Sequence, residues 1–305
     1  MDSSFDPTER TGSQASTSGD ESTAMLSERL QKMAARGKAA TRSVSSLNSV
    51  PTWPSPMRGT PNACLRSALF AGIQGKERIA YKRRTLLAAV DGIEIRYLGV
   101  QLDQSDLDVW MQIVHLARRQ LPGFCVTFSA HSMLKSLGKG SGKSQHEWLK
   151  ESMARLGGAF VEITFHGRDA FGEKGFLRYY RDEQTQHYMV ELTASMLRLF
   201  EDGYTHIEFA QRQQLRKHPL ALWLHGFLCS HAAPYPLKIE TLHRLSGSSA
   251  KNLRDFKLRT RKALEALVGI GAIESFVVDS EDFVRIKKLP TPTQQRYLEA
   301  KQGAS

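Results

Sequence analysis

One order of secondary-structure elements is predicted twice in this sequence, and it limits the possible folds more than any other feature. In the first copy, a short strand at 126–128 leads into a helix over 129–137, for which Ser129 is the expected N-cap. The turn GKGSGKS separates this helix from a second helix over about 144–156. Alternating apolar residues then predict three strands, at 161–165, about 175–181 and about 186–192. A polar loop is expected between the first two of these strands.

The second copy lies closer to the C-terminus. A short helix over 240–245 and the turn SGSS precede a long helix over about 249–268. Glycines end this helix, and a strand over 272–278 then returns, through a tight turn at 279–282, as a strand over 283–287. Helix, turn, helix and β-hairpin is the order of a winged-helix domain, in which the second helix of the turn reads the major groove of DNA.

Additional elements before each copy complete two units. A strand over 93–102 and a helix capped by Asp103 or Ser105 belong to the first unit. A helix of about 20 residues, preceded by Pro219 and with an apolar centre from Leu220 to Ser230, begins the second. The predicted fold class is therefore α+β, with two tandem winged-helix domains behind a disordered N-terminal tail. The expected divisions are a disordered or linker tail (1–60), winged-helix domain 1 (61–203), winged-helix domain 2 (204–288) and a flexible C-terminal tail (289–305).

The N-terminal tail is expected to be disordered because residues 1–24 contain almost no large apolar side chains. Residues 25–42 could form a short basic amphipathic helix, which would be either a partner-docking segment or, as we prefer, a linker. Residues 43–61 hold four prolines around Trp53 and are expected to form an irregular lead-in.

The charge of the chain indicates a polyanionic partner. Lys and Arg number 42 against 31 Asp and Glu, the net charge is +11, and the pI is near 9.6. Clustered positive charge is the electrostatic footprint of phosphate binding. No apolar run is long enough for a membrane span, so no membrane is expected as a partner. The 3 widely spaced cysteines predict reduced thiols in the cytoplasm.

The helix over 249–268 has two distinct faces, as a recognition helix requires. Its apolar face consists of Leu253, Phe256, Ala263, Leu264 and Leu267. Its other side carries the predicted contacts to double-stranded DNA: Lys251, Arg254, Lys257, Leu258, Arg261 and Lys262. Of these, Leu258 would either touch a thymine methyl group or pack on a neighbouring element. We expect this second domain to carry the larger share of the affinity.

The helix over 144–156 is expected to contribute less, because acidic residues share its outer face. The candidates in this helix, in the turn before it and in the long wing after it are Lys139, Lys143, Lys150, Arg155, Arg168 and Lys174. The two lysines of the turn suit phosphate contacts better than base readout. The two wing residues would reach the DNA backbone or the minor groove.

Signals of catalysis or metal binding are weak. GKGSGKS is similar to a phosphate-binding loop, but its first glycine, Gly138, comes one residue late and a helix precedes it where a strand is needed. His225, Cys229 and His231 cannot all face one metal ion on an ideal helix. We therefore expect no enzymatic activity, no metal and no cofactor, and a relaxase or NTPase is the least favoured class.

Scattered but collinear motifs resemble the TrfA plasmid replication initiators. They are Trp53-Pro54, Met57-Arg58, Pro61-Asn62, Arg66-Ser67-Ala68-Leu69-Phe70, Tyr97-Leu98-Gly99-Val100, Leu199-Phe200, Tyr204-Thr205 and Pro234-Tyr235-Pro236-Leu237-Lys238-Ile239-Glu240-Thr241. The resemblance implies two tandem winged-helix domains that bind direct repeats (iterons) at a plasmid origin and promote opening of an A·T-rich region. It further implies recruitment of the host initiator DnaA and the replicative helicase, and exchange between dimers and DNA-binding monomers.

One departure from the family pattern concerns the sliding clamp. The family typically carries a clamp-binding peptide of the type QLSLF shortly before the Trp-Pro pair. Here the corresponding residues are Ser45-Ser46-Leu47-Asn48-Ser49-Val50, without the Gln and without the Leu-Phe end. Clamp binding through this peptide is therefore not expected.

A winged-helix transcriptional repressor is the alternative function that the residues leave open. Direct repeats and an A·T-rich segment beside the gene would favour the initiator. An inverted-repeat operator would favour the repressor.

Overall fold

The computed structural model describes residues 50–73, 77–119, 125–166, 168–192 and 194–302. The segments predicted to be a disordered tail and an amphipathic helix, both before residue 50, lie outside the described residues. Within them, the chain is a mixture of helices and small sheets. In this part of the chain, no helix has the length and apolar character needed to cross a lipid bilayer.

The described residues contain ten helices. They are α1 (Asn62–Leu65), α2 (Gln104–Ala117), α3 (Ala130–Ser136), α4 (Lys143–Gly158), α5 (Ala194–Arg198), α6 (Phe209–Gln214), α7 (Pro219–Cys229), α8 (Ile239–Leu245), α9 (Leu253–Gly269) and α10 (Pro292–Gln302).

The strands of the described part are short and form five sheets. They are β1 (Met57–Pro61), β2 (Phe70–Ala71), β3 (Ala80–Leu87), β4 (Ile93–Val100), β5 (Leu102–Asp103), β6 (Val126–Ser129), β7 (Phe160–Phe165), β8 (Arg168–Lys174), β9 (Leu177–Arg181), β10 (His187–Leu192), β11 (Tyr204–Glu208), β12 (Leu237–Lys238), β13 (Ser275–Val278) and β14 (Phe283–Lys287). The sheet orders are β1-β11, β2-β5, β3-β4-β7-β8, β6-β10-β9 and β12-β14-β13, and only β2-β5 is parallel.

Two of the sheets share one topology, and each accompanies a helix–turn–helix. In the first, β6 precedes α3 and α4 and pairs with β10, the second strand of the hairpin β9-β10. In the other, β12 precedes α8 and α9 and pairs with β14, the second strand of the hairpin β13-β14. The repeated order of elements expected from the sequence is therefore present. In the first copy, β7 and β8 are inserted between the second helix and the hairpin.

Side-chain hydrogen bonds define where two of the longer helices, α2 and α9, begin. Asp103 and Asp106 accept each other's backbone N–H groups, at 3.0 and 3.1 Å, so α2 opens with a capping box. Asn252 accepts the backbone N–H of Asp255 at 2.8 Å. This cap makes Leu253 the first residue of α9, a few residues after the predicted start.

The segment expected to be an irregular lead-in is partly a strand. β1 pairs antiparallel with β11, and Trp53, just before β1, is buried and stacks on Phe200 at 6.1 Å between ring centroids. Four residues of β1 thus fall within the tail expected over 1–60. Tyr204, the first residue after the expected boundary at 203, lies in a sheet with β1.

Two other segments expected to be irregular are regular elements. The expected polar loop after β7 contains β8, which extends the four-stranded sheet. The expected flexible C-terminal tail contains α10, where the Gln294 amide donates to the Cys229 carbonyl at 2.8 Å. Both elements are polar, so they lack the apolar periodicity on which the prediction depended.

The core consists of two hydrophobic clusters. The first contains Trp110 and extends to Phe209, and the second begins at Leu215 and contains Trp223. The clusters touch, because the indole N–H of Trp223 donates to the Ser67 carbonyl at 3.0 Å. Two clusters are what two domains require, although the division into domains stays a prediction.

A buried arginine joins the two clusters. Arg212 is 1% exposed and forms an ion pair with Asp108 of α2. Its guanidinium also donates to the Gln104 carbonyl in α2 and to the Leu222 carbonyl in α7, each at 3.1 Å. Burial raises the pKa of Asp108, and the positive charge of Arg212 opposes that shift. One side chain thus connects the central helix of the first cluster to the central helix of the second.

We predict that Arg212→Leu lowers the free energy of unfolding by about 3–5 kcal/mol, because it leaves a largely buried carboxylate without its cation. Urea unfolding of the full chain, followed by circular dichroism, measures the loss. The control is Arg96→Leu, since the exposed Arg96 pairs with exposed Glu94 at 2.6 Å and should contribute less than about 1 kcal/mol. Equal losses in the two variants would contradict the role assigned to Arg212.

Candidate nucleic-acid interface

α9 packs one face against the second cluster. Phe256, Ala263, Leu264 and Leu267 are buried there, as the helical spacing predicted. The prediction is wrong at Leu253, which is 45% exposed. Leu253 is the first residue of α9, and the second cluster does not extend to that end of the helix.

The opposite face of α9 is cationic and open to solvent. The exposed side chains there, or just before the helix, include the cations Lys251, Arg254, Arg261 and Lys262, and the acid Glu265. None of these four cations forms an ion pair within the described residues. The ion pairs found in this part of the chain involve Lys257, Arg285 and Lys287 instead. Leu258 lies among them and is 56% exposed, so a large part of its side chain is open to a thymine methyl group.

The turn before α9 is held in a defined shape. Gly247 adopts a positive φ of 59°, which favours glycine. His243 of α8 then meets the Phe256 ring edge-on at 4.8 Å and contacts the Ala250 carbonyl through Nε2 at 3.0 Å. The two helices and their turn therefore form one packed unit, in which α9 cannot rotate independently of α8.

Lys257 differs from the other predicted contacts of α9 because its ammonium pairs with Asp282. Asp282 ends the turn of the hairpin β13-β14 and has a φ of 65°. The same turn carries Asp279 and Glu281, so the tip of this hairpin is acidic. The prediction of DNA contacts from the sequence did not consider these three acids, although the sequence places all of them in the predicted turn.

The first unit repeats this arrangement. Lys150 of α4 lies 4.0 Å from Glu183, in the turn of the hairpin β9-β10. Arg181 of β9 also pairs with Glu183, and Asp182 beside it caps the turn by accepting two backbone N–H groups. In both units, a lysine of the second helix is therefore engaged by an acid at the tip of the hairpin.

The other candidates of the first unit are dispersed. Lys143 and Lys174 are exposed, whereas the ammonium of Lys139 lies 3.9 Å from the centroid of the Trp148 ring. The side chain of Arg168 lies outside the described residues. Because β8 belongs to the sheet β3-β4-β7-β8, Arg168 and Lys174 are not on the hairpin that corresponds to β13-β14. The assignment of both residues to a wing is therefore corrected.

Arg155 is not available to DNA. Its side chain is 11% exposed, and its guanidinium donates to the Asp106 carboxylate, at 2.9 Å from Nη2. Asp106 also accepts bonds from Arg78 at 3.1 Å and from Ser152 at 2.6 Å. The spacing along α4 placed Arg155 outward, but α2 lies against that side of the helix and supplies the carboxylate.

The sequence prediction missed two exposed cations, one of which contacts the turn GKGSGKS. Arg216 and Lys217 follow α6 and are exposed, and the Arg216 guanidinium donates to the Gly138 carbonyl at 2.8 Å. The sequence signal that could have identified them is their position as a basic pair just before Pro219, where α7 begins. As expected, the helix α3, and not a strand, precedes the turn.

Of the side chains considered as metal ligands, His225 and Cys229 lie in α7 and His231 lies two residues beyond its end. Cys229 Sγ lies 3.8 Å from Nε2 of His225, and burial lowers the pKa of His225 to about 3, so its imidazole is neutral at pH 7. No group of three or more His, Cys, Asp or Glu in the described part could hold a metal ion.

Comparison with known proteins relates this chain to one family. The family model described as TrfA protein matches residues 14–288. The plasmid replication initiator protein TrfA of Escherichia coli is 28% identical over 250 residues, which are 80% of this chain and 65% of that protein. This chain therefore spans slightly less than two thirds of the length of that relative.

Among solved structures, two crystal structures of domains 2 and 3 of RctB align with the chain. The first has a TM-score of 0.49 and 12% identity and covers 75% of this chain and 98% of that one. The second has a TM-score of 0.47 and 11% identity and covers 74% and 97%. The match of the family model over most of the sequence is the finding that assigns the family. The chain belongs to the TrfA protein family.

Proposed function

We propose that this protein is a plasmid replication initiator that binds direct repeats in duplex DNA at an origin through two winged-helix units. The observation that carries the proposal is the exposed face of α9, where four cations without an ion-pair partner in the described residues surround an exposed leucine. Unpaired Lys and Arg on one side of a packed helix suit a DNA major groove. The E. coli relative is itself a plasmid replication initiator.

The two units have unequal roles in this proposal. α9 reads bases, with Arg254 and Arg261 positioned for guanine edges or phosphates and Leu258 for a thymine methyl. In the first unit, Arg155 and Lys150 are engaged by carboxylates, so α4 supplies fewer cations. The first unit then contacts mainly phosphates, through Lys143 of the turn, and sets the register of the protein on the duplex.

Binding as a linked pair would make the complex tighter than either unit alone. Arrays of bound repeats would bend the duplex and strain an adjoining A·T-rich region. Opening of that region, recruitment of the host initiator DnaA and the replicative helicase, and exchange between dimers and DNA-binding monomers complete the proposed role. In it the protein acts by binding and not by catalysis.

We predict that Arg254→Ala and Arg261→Ala weaken binding to the duplex that carries the repeat. A lost base contact should cost about 1–3 kcal/mol and relax the preference over a scrambled duplex, whereas a lost phosphate contact should weaken both duplexes alike. Fluorescence anisotropy titrations with both duplexes, at two salt concentrations, distinguish these cases.

The matched control is Lys82→Ala, which removes an exposed cation of β3, in the four-stranded sheet. Its affinity for both duplexes should equal that of the unaltered protein. If the two arginine variants also bound like the unaltered protein, α9 would not be the reading helix and the proposed function would lose its main support.

We predict that Asp282→Asn raises the affinity for scrambled duplexes. The substitution releases Lys257 from its ion pair, and one further phosphate contact should steepen the dependence of log K on log salt by about 0.9. Asn tolerates the positive φ of this position, and the backbone carbonyl that accepts the Ile239 N–H at 2.9 Å is unchanged.

Glu281→Gln is the control for Asp282→Asn, because it removes a charge from the same turn without releasing a lysine within the described residues. Its salt dependence should stay closer to that of the unaltered protein. A salt dependence that changes equally in both variants would mean that the lysine pair has no particular effect.

A further inference from the structure

The junction between the turn GKGSGKS and the end of α6 brings together cations from two distant parts of the chain. The Arg216 guanidinium donates to the Gly138 carbonyl at 2.8 Å, and the Gln213 amide donates to the Ser136 carbonyl at 3.0 Å. Gly138 has a φ of 66°, and a Cβ there would lie 3.2 Å from Nη1 of Arg216. The Arg216 side chain therefore lies directly against the backbone of the turn at Gly138. We call the residues 135–143 and 213–217 the basic junction.

The basic junction contains cations and no acidic residue. Its cations are Lys135, Lys139, Lys143, Arg216 and Lys217. Two carboxylates outside the junction, those of Asp108 and Asp103, attract Lys139 and raise its pKa against the stronger lowering by burial. Asp108 itself is paired with Arg212, so it does not neutralise the exposed cations of the junction.

The surface of the basic junction is concave on the α6 side. A shallow depression there is lined by Ala210, Gln213, Gln214, Arg216 and Lys217. Lys217 is exposed and has no ion pair in the described part of the chain, and Lys143 is likewise exposed. Phosphodiester oxygens accept hydrogen bonds from cationic side chains and from amide N–H groups. Both kinds of group lie beside this glycine- and serine-rich turn.

The place of the junction in the fold indicates which phosphates would reach it. The turn leads directly into α4, the second helix of the first unit, and Lys217 is two residues before α7, which packs with α9 in the second cluster. The junction is therefore adjacent along the chain to the start of α4 and to the helix that packs with α9. We propose that the basic junction is a phosphate-binding site for the backbone of duplex DNA between the two reading helices.

This inference rests on the proposed function, and it adds a contact that carries no sequence information. Lys217→Gln removes one charge without breaking a described hydrogen bond or ion pair. We expect the variant to bind both the repeat duplex and a scrambled duplex of equal length about fivefold more weakly at 0.15 M salt, and the slope of log K against log salt to fall by about 0.9. Arg216→Gln combined with Lys217→Gln should lower the slope by about twice as much.

Two further variants separate charge from structure. Arg216→Lys keeps the charge but alters the bond to Gly138, so it should retain the salt slope of the unaltered protein. Arg83→Gln removes an exposed cation of β3 and should leave the affinity for both duplexes unchanged. Thermal unfolding of each full-length variant identifies any loss that comes from folding.

The outcomes distinguish the failure of this inference from the failure of the proposed function. If the unaltered protein shows no preference for the repeat duplex, the proposed function is wrong. If it shows the preference but Lys217→Gln and the double variant keep its salt slope, the basic junction does not bind the duplex backbone. A loss confined to single-stranded DNA, or to binding of another protein, overturns the inference in the same way.

Discussion

The ion pair between Arg212 and Asp108 determines how the two halves of this molecule relate to each other. The guanidinium is almost fully buried and also donates to carbonyls of α2 and α7, which lie in different hydrophobic clusters. A buried cation that loses its partner is strongly destabilising, so the arrangement resists separation of the clusters. The indole of Trp223 adds a second link, to Ser67. In the proposed function, two DNA-reading helices held in this way would lose little conformational freedom on binding, which is how preorganisation raises affinity.

Within this fixed frame the charges of the two units differ in a way that matters for recognition. Both units have a lysine engaged by an acidic hairpin tip, at Lys150 and at Lys257. In α4, the arginine Arg155 is also paired, with the buried carboxylate of Asp106. In α9, Arg254 and Arg261 have no such partner in the described residues. The fold therefore leaves exposed cations without an ion-pair partner in the described residues on α9 and in the basic junction.

The parts of this arrangement that the sequence predicts are those with a local pattern. The buried face of α9 follows from the spacing of Phe256, Ala263 and Leu267, and the repeated helix–turn–helix follows from caps and glycines. Pairing between β1 and β11 has no local pattern, because the two strands come from opposite ends of the first cluster. The burial of Arg155 could not be predicted from the sequence either, because helical periodicity describes one helix and not the neighbouring helix that packs on it.

The acidic hairpin tips and the basic junction together restrict how a duplex can lie on the protein. Phosphates are repelled by Asp279, Glu281 and Asp282 on one side of α9 and attracted by its free cations and by Lys217. Like-charge contacts suppress wrong poses, whereas attractive ones alone would also increase binding to any sequence. A protein with a net charge of +11 binds polyanions readily. In the proposed function, acids placed beside α9 would favour specific contacts, because they weaken binding modes in which phosphates approach the hairpin tip.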